Sequence, residues 1–179
     1  MTVTMHEGFA VWFTGLPASG KSTLARGLQQ RLAGRGIATQ LLDSDELRAR
    51  LIPEATYSGA ERDWFYDLIA FLASLLTRNG VNVLIAATGQ KRAYRDAARA
   101  QIGHFCEVFI DCPAQRCQLR DPKGLWRKAM RGEIHNLPGV GADYEAPLQA
   151  EVIIHNDLLT VEEAVAQVDA ALAARGCIP

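Results

Sequence analysis

The chain has 179 residues, 49% of them hydrophobic and 22% charged, with a formal net charge of -1 at pH 7. That length suits one domain able to bury about 70% of its unfolded surface. The near-neutral balance supplies no field for nucleic acid or an anionic membrane, and the apolar runs fall short of the ~18 residues of a membrane span, so neither partner is expected.

Residues 1–8 carry neither a basic n-region nor an apolar h-region, which reads as no signal peptide. Cys106, Cys112, Cys117 and Cys177 form no C-x-x-C pair, so they read as reduced thiols of a cytoplasmic protein rather than a zinc site. The first strand, residues 11–14, lies in the apolar stretch Phe9-Ala10-Val11-Trp12-Phe13-Thr14, whose continuity predicts burial on both faces, as in a parallel sheet. GLPASGKST, residues 15–23, follows and fits G-x-x-x-x-G-K-[ST]. A loop of that form between strand and helix points successive backbone N–H groups inward and sets a helix N-terminus under an anion. Gly15, Ala18, Ser19, Gly20, Lys21, Ser22 and Thr23 are therefore expected to hold a nucleoside triphosphate, with Lys21 on the β- and γ-phosphates and Ser22 on Mg²⁺.

Leu24, Leu28 and Leu32 lie one turn apart in a helix that begins at Ser22 and ends near Gly36, the expected C′ residue. A second strand, residues 38–42, ends in Asp43-Ser44-Asp45, and a short helix, residues 46–51, stops before Pro53, with Asp45 as an expected N-cap. Ser58 is expected to cap a helix in which Phe65, Ile69, Leu72 and Leu76 share one face and Asn79-Gly80 ends the run. A third strand at 81–86 leads through Ala87-Thr88-Gly89 to a basic helix at 92–102. The fourth strand, 105–110, is followed by a helix with Pro113 at its first position.

Six cations (Arg116, Arg120, Lys123, Arg127, Lys128, Arg131) face one acid, Asp121, between 116 and 131, and residues 132–147 are rich in Gly and Pro without periodicity. Residues 116–147 are therefore expected to form a mobile lid. A fifth strand at 152–155 and a helix opened by the capping box Thr160 to Glu163 complete the chain. Strands alternating with helices predict a single three-layer α/β domain over residues 1–179, a P-loop nucleotide-kinase-like fold with a mainly parallel five-stranded sheet.

A phosphate loop does not by itself separate kinase, motor and GTPase. No N-K-x-D occurs, Ala86-Ala87-Thr88-Gly89 stands where a GTPase has D-x-x-G, and the third strand ends without a motor's acidic pair. A small-molecule kinase needs a carboxylate for the acceptor hydroxyl and cations over the transferring phosphoryl group. Asp43 or Asp45 supplies the first and the basic stretch the second, unless they are a solvated turn or cap and a solvated helix face.

With Arg120-Asp121-Pro122-Lys123-Gly124-Leu125-Trp126, Gly132-Glu133-Ile134 and Tyr144-Glu145-Ala146-Pro147, the chain resembles the adenylylsulfate kinases from about residue 9 to 152. Leu42-Asp43-Ser44-Asp45 with Arg48 is similar to that family's L-D-G-D…R, Tyr57-Ser58 with Arg62 to its F-S-x-x-D-R, and Tyr94-Arg95 with Arg99 to the helix after its third strand. The resemblance implies ATP as donor, Mg²⁺, and the 3′-hydroxyl of adenosine 5′-phosphosulfate as acceptor. It implies that Asp45 faces the acceptor hydroxyl; Asp43, nearer the strand end, is expected nearer the metal. Arg48 and Arg62 grip the phosphosulfate, Lys123 descends from the lid, and Arg120 lies near ATP. Lys21, Asp45 and Lys123 are then the catalytic set.

The chain departs from the family at Trp64, Phe65, Asp67 and Leu68, where the family has Glu, Asn and an Arg pair, and at Thr88-Gly89-Gln90, where it has I-S-P. Tyr57 and Leu137 stand where two phenylalanines sandwich the acceptor's base. A kinase of this family acting on another small-molecule or nucleotide hydroxyl, and a nucleotide-binding domain without turnover, are the competing readings. A homodimer is the assembly considered.

Overall fold

The computed structural model describes residues 7–179, so the signal-peptide reading of residues 1–8 falls almost wholly outside the described residues. The element order is β1 (Phe9–Thr14), α1 (Lys21–Ala33), β2 (Thr39–Asp43), α2 (Ser44–Leu51), α3 (Gly59–Arg78), β3 (Asn82–Ala86), α4 (Arg92–Gln101) and β4 (His104–Asp111). Then come α5 (Ala114–Arg120), α6 (Leu125–Met130), β5 (Leu137–Pro138), β6 (Gly141–Ala142), β7 (Val152–His155) and α7 (Val161–Ala174).

The main sheet has the order β2-β3-β1-β4-β7, and every neighbouring pair in it is parallel. β1 is central and buried at all its positions, which explains its unbroken apolar run. Its alternate residues feed two cores. Phe9, Val11 and Phe13 pack with Leu24, Leu28 and Leu32 of α1 and Val165, Val168 and Leu172 of α7. Ala10 and Trp12 face the other way, against Phe65, Tyr66 and Ile69 of α3 and Tyr94 and Ala98 of α4. The result is the three-layer α/β arrangement expected.

The start of the chain's helices rests on local chemistry. Ser58 accepts the Glu61 N–H at the start of α3, and Thr160 with Glu163 forms the expected capping box of α7. Gly36 takes φ 74° after α1, where Ile37 N–H donates to the Leu32 carbonyl. Two expectations fail by a small margin. Pro113 is the N-cap of α5 rather than its first residue, and α2 begins two residues early, at Ser44. The cap of α2 is Asp43, whose carboxylate accepts the Asp45 N–H at 3.0 Å, so Asp45 is not the cap.

The lid region 116–147 holds most of α5, all of α6 and, within the stretch 132–147 expected as a loop without periodicity, the two short strands β5 and β6. α5 and α6 are separated by residues 121–124, where Asp121 accepts the N–H groups of Trp126 at 3.2 Å and Arg127 at 3.0 Å. Trp126 and Leu137 are buried with Cys112, Cys117 and Ala129 in a third, smaller core. A few well-placed apolar residues suffice where the sequence shows mostly cations, because one tryptophan buries as much surface as several smaller side chains.

Arg95 on α4 is only 1% exposed and pairs with Glu107 of β4 at 2.6 Å, while its other nitrogens reach the carbonyls of Gly89 and Glu145. This pair ties the loop after β3 to residue 145. Removing one partner of a buried pair leaves an uncompensated charge, so Glu107→Ala is expected to cost ~3–5 kcal/mol of unfolding free energy. Urea denaturation checks this, and a loss below ~1 kcal/mol would show that carbonyls alone hold Arg95.

Candidate active site

The carboxyl ends of β1, β2 and β3 open into one cleft of about 1140 Å³, roofed by residues of the lid region. Open parallel sheets place ligands at this end of the strands. The volume exceeds the ~300–1,000 Å³ of a typical single-ligand site and leaves room for two ligands end to end.

At one end lies the loop between β1 and α1. Gly15 and Gly20 take φ 150° and 106°, which glycine adopts at little cost. A Cβ on Gly20 would also stand 2.5 Å from Asn156 Nδ2, so a side chain there would be strained and would have to displace the Asn156 amide. Asn156 Nδ2 donates to the Ser19 carbonyl at 2.5 Å, and Arg120 donates to the same carbonyl at 3.4 Å and to the Asn156 carbonyl at 2.8 Å. Lys21 Nζ curls back onto the carbonyls of Gly15 at 3.1 Å and Leu16 at 2.8 Å. Withdrawal from water lowers its pKa to about 8, with the nearby Asp45 charge opposing the shift.

A polyanion fits this loop. The first amides of α1 have no helical acceptor, and the buried Ser19 hydroxyl has no hydrogen-bond partner. Of the expected nucleotide ligands, Ala18, Gly20, Lys21, Ser22, Thr23 and Arg120 line the cleft, whereas Gly15 and Ser19 shape it from behind. For a metal ion, the Ser22 hydroxyl is available at the cleft wall. Asp43, expected nearer the metal, does not line the cleft: one oxygen caps α2 and the other faces Arg26 at 3.4 Å. No cluster of three or more His, Cys, Asp or Glu side chains that could hold a metal occurs among the described residues.

At the other end, Asp45 projects from the first turn of α2 and its carboxylate pairs with Lys123, across a separation of 78 residues. Lys123 comes from the α5–α6 junction, and the lid is pinned nearby by Trp126 Nε1 donating to the Pro17 carbonyl at 3.0 Å. Arg48 is buried, paired with Glu61, and its guanidinium lies 3.9 Å from the Phe65 ring centre and 4.7 Å from that of Tyr57. Arg62 donates to the Tyr57 carbonyl at 3.0 Å and the Asn136 carbonyl at 2.5 Å, binding the α3 start to the lid. Tyr57, Thr88 and Leu137 line the same cleft, Thr88 with its carbonyl held by the Thr14 hydroxyl at 2.6 Å. Leu137 faces the cleft while anchoring the lid core.

The departures sort by position. Trp64, Asp67 and Leu68 lie off the cleft wall, and Phe65 is a buried ring beneath Arg48 rather than a wall residue. Tyr66, Asn136 and Asn156 line the cleft without having been singled out from the sequence. Asn156 directly follows β7, so its place at a strand's carboxyl end was a usable signal. Tyr66 lies one turn beyond Arg62, on the same helix face. Asn136 carried no such signal.

Comparison with known proteins agrees with this arrangement. Residues 7–155 match the family model described as adenylylsulphate kinase. An adenylyl-sulfate kinase of Rippkaea orientalis is 42% identical over 163 residues, 91% of this chain and 90% of that one. The structure superposes with a TM-score of 0.88, at 35% identity, on an APS kinase of Mycobacterium tuberculosis in complex with AMPPNP and APS, covering 93% of this chain and 98% of that one. A shikimate kinase of Aquifex aeolicus, 19% identical with a TM-score of 0.60, shares the fold. The phosphate loop at one end of the cleft, the Asp45–Lys123 pair at the other and these similarities together make the chain a member of the adenylylsulfate kinase family.

Proposed function

We propose that the protein is an ATP-dependent kinase that transfers the γ-phosphoryl group of ATP to the 3′-hydroxyl of adenosine 5′-phosphosulfate, giving 3′-phosphoadenosine 5′-phosphosulfate. The observation that carries this is the single cleft with a phosphate loop at one end and Asp45 facing Lys123 at the other. The chain works as one kinase domain, a reading supported by the continuous sheet from β2 to β7.

In this reading Lys21 leaves the loop carbonyls for the β- and γ-phosphates, and Gly15, Ser19 and Gly20 keep the loop amides aimed at them. Arg120 braces the donor end through Ser19 and Asn156. Mg²⁺, bound through the Ser22 hydroxyl and the phosphates, supplies charge neutralisation of the transferring group. Asp45 accepts a hydrogen bond from the acceptor hydroxyl and aims it in line, with Lys123 released from Asp45 toward the phosphoryl oxygens. Phosphoryl transfer passes through a loose transition state, so this positioning contributes more than proton removal. Arg48 and Arg62 meet the phosphosulfate, Tyr57 and Leu137 flank the base, and the Trp126-anchored lid keeps water away. The four free cysteines support a cytoplasmic site of action. A homodimer finds support in the exposed apolar stripe Trp64, Phe71 and Leu75 along α3. Light scattering checks that assembly, and a mass of 19.6 kDa would exclude it.

Two outcomes test the roles. Asp45→Asn is expected to lower kcat for ADP release with adenylylsulfate by ~10²–10⁴-fold with ATP affinity little changed, the range for a positioned acid–base group. Near-normal turnover would remove Asp45 from the reaction. The lowered pKa of Lys21, about 8, adds a second. Phosphate oxygens restore its positive form, so nucleotide binding at pH 8 is expected to take up roughly half a proton more in the wild type than in Lys21→Arg, whose cation is always charged. Calorimetry in buffers of different ionisation enthalpy measures this, and equal uptake in both proteins would place Lys21 away from the phosphates.

A further inference from the structure

Glu61 stands in the first turn of α3, behind the acceptor end of the cleft, and does not line it. Its carboxylate collects four donors. One oxygen takes the Arg48 guanidinium; the other takes the Thr56 N–H at 2.6 Å, the Thr56 hydroxyl at 2.8 Å and the Tyr57 N–H at 3.2 Å. The Thr56 hydroxyl oxygen in turn accepts the Ser58 N–H at 3.3 Å, so its proton is committed to Glu61.

Both halves of this bond set need holding. Tyr57 has φ 54°, a left-handed conformation that an aromatic residue seldom adopts, and it is exposed at the cleft wall. The Arg48 guanidinium lies over the Tyr57 and Phe65 rings, 4.7 and 3.9 Å from their centres, contacts that hold a cation without directing its N–H groups. The Glu61 oxygen directs one of those N–H groups, and Arg48 lines the cleft, where its other donors can meet an anion. Burial opposes ionisation of Glu61, yet the Thr56 bonds and the Arg48 charge outweigh it and hold the carboxyl below its usual value.

We infer that Glu61 is a positioning residue for the acceptor. One carboxylate locks the guanidinium of Arg48 and the strained turn carrying Tyr57 into a fixed relation, so that the anion-gripping cation and the base-facing ring are set together. This rests on the acceptor roles given above to Arg48 and Tyr57. A cap that merely starts α3 would need only the Ser58 hydroxyl, which already accepts the Glu61 N–H at 3.3 Å. The fourfold acceptor goes beyond that.

Glu61→Gln is the informative change. It keeps length and shape, but every partner of the side chain is a donor, so either orientation of the amide turns its NH₂ group against donors. The KM for adenylylsulfate is expected to rise ~10–100-fold, the scale of a lost charge-assisted hydrogen bond. The KM for ATP should stay within about twofold, because the donor end shares none of these bonds. Glu61→Asp, too short to reach both partners, should move the same constant in the same direction. Because Glu61 acts through Arg48, adding Glu61→Gln to Arg48→Met should raise the acceptor KM by clearly less than the product of the two single effects. Equal rises in both KM values, or full multiplication in the double variant, would reduce Glu61 to a structural role and overturn the inference. An active wild type with an unchanged acceptor KM in Glu61→Gln would overturn it alone. A wild type that releases no ADP with adenylylsulfate would remove the acceptor reading and this inference with it.

Discussion

The structure depends on holding one carbonyl still. The Ser19 carbonyl, at the turn of the phosphate loop, accepts from Asn156 and from Arg120, and Gly20 beside it has no room for a Cβ. Through that point the loop is joined to the end of β7 and to α5, at the base of the lid, so elements far apart in sequence share one rigid corner. The backbone of the loop is thereby fixed before any anion arrives, while Lys21 rests on the Gly15 and Leu16 carbonyls. Preorganised donors of this kind stabilise charge without reorganisation at the moment of transfer.

Charge in the cleft follows a second rule: each cation is held by a neighbour that a substrate can displace or share. Lys21 rests on two loop carbonyls, Lys123 on Asp45, Arg62 on the carbonyls of Tyr57 and Asn136, and Arg48 on Glu61. Burying an uncompensated charge costs several kcal/mol, so these pairings let a cation-lined cleft coexist with a stable fold. The two ends differ in kind. The donor end is built of backbone and a lysine, whereas the acceptor end carries Arg48, ion-paired and over aromatic rings, and Arg62, held by carbonyls, which suits tetrahedral anions read by planar cations.

Trp126, Leu137, Cys112 and Cys117 form a small core shared with Leu16 and Ala18 of the phosphate loop, and polar links join the lid region to the rest through Pro17, Ser19, Asp45, Tyr57, Arg62, Gln90, Arg95 and Asn156. The Asp45–Lys123 contact brings the proposed acceptor-orienting group and the lid cation within reach of each other in this closed arrangement.

Local patterns in the sequence determined the sheet, its parallel sense, the phosphate loop and most helix caps, because these depend on side-chain periodicity and on residues within a few positions of each other. Strand ends shifted by only one residue at β2 and β3, and the capping box of α7 stood where it was read. The motif resemblance also carried Asp45, Arg48, Arg62, Arg120 and Lys123 into one cleft, where the structure has them. Residue pattern alone left Asp43 or Asp45 open and the resemblance named Asp45; only the tertiary structure showed that Asp43 is withdrawn from the cleft as the cap of α2. It alone decided that Phe65 supports Arg48, that Trp64, Asp67 and Leu68 point their departures away from the cleft wall, and that the cation-rich segment owns a core. The bonds of Arg48 to Glu61, Asn136 to Tyr57 and Asn156 to Ser19 escaped the sequence for the same reason. Their partners lie in space rather than in register, and a hydrogen bond between residues 19 and 156 leaves no periodic trace in the chain.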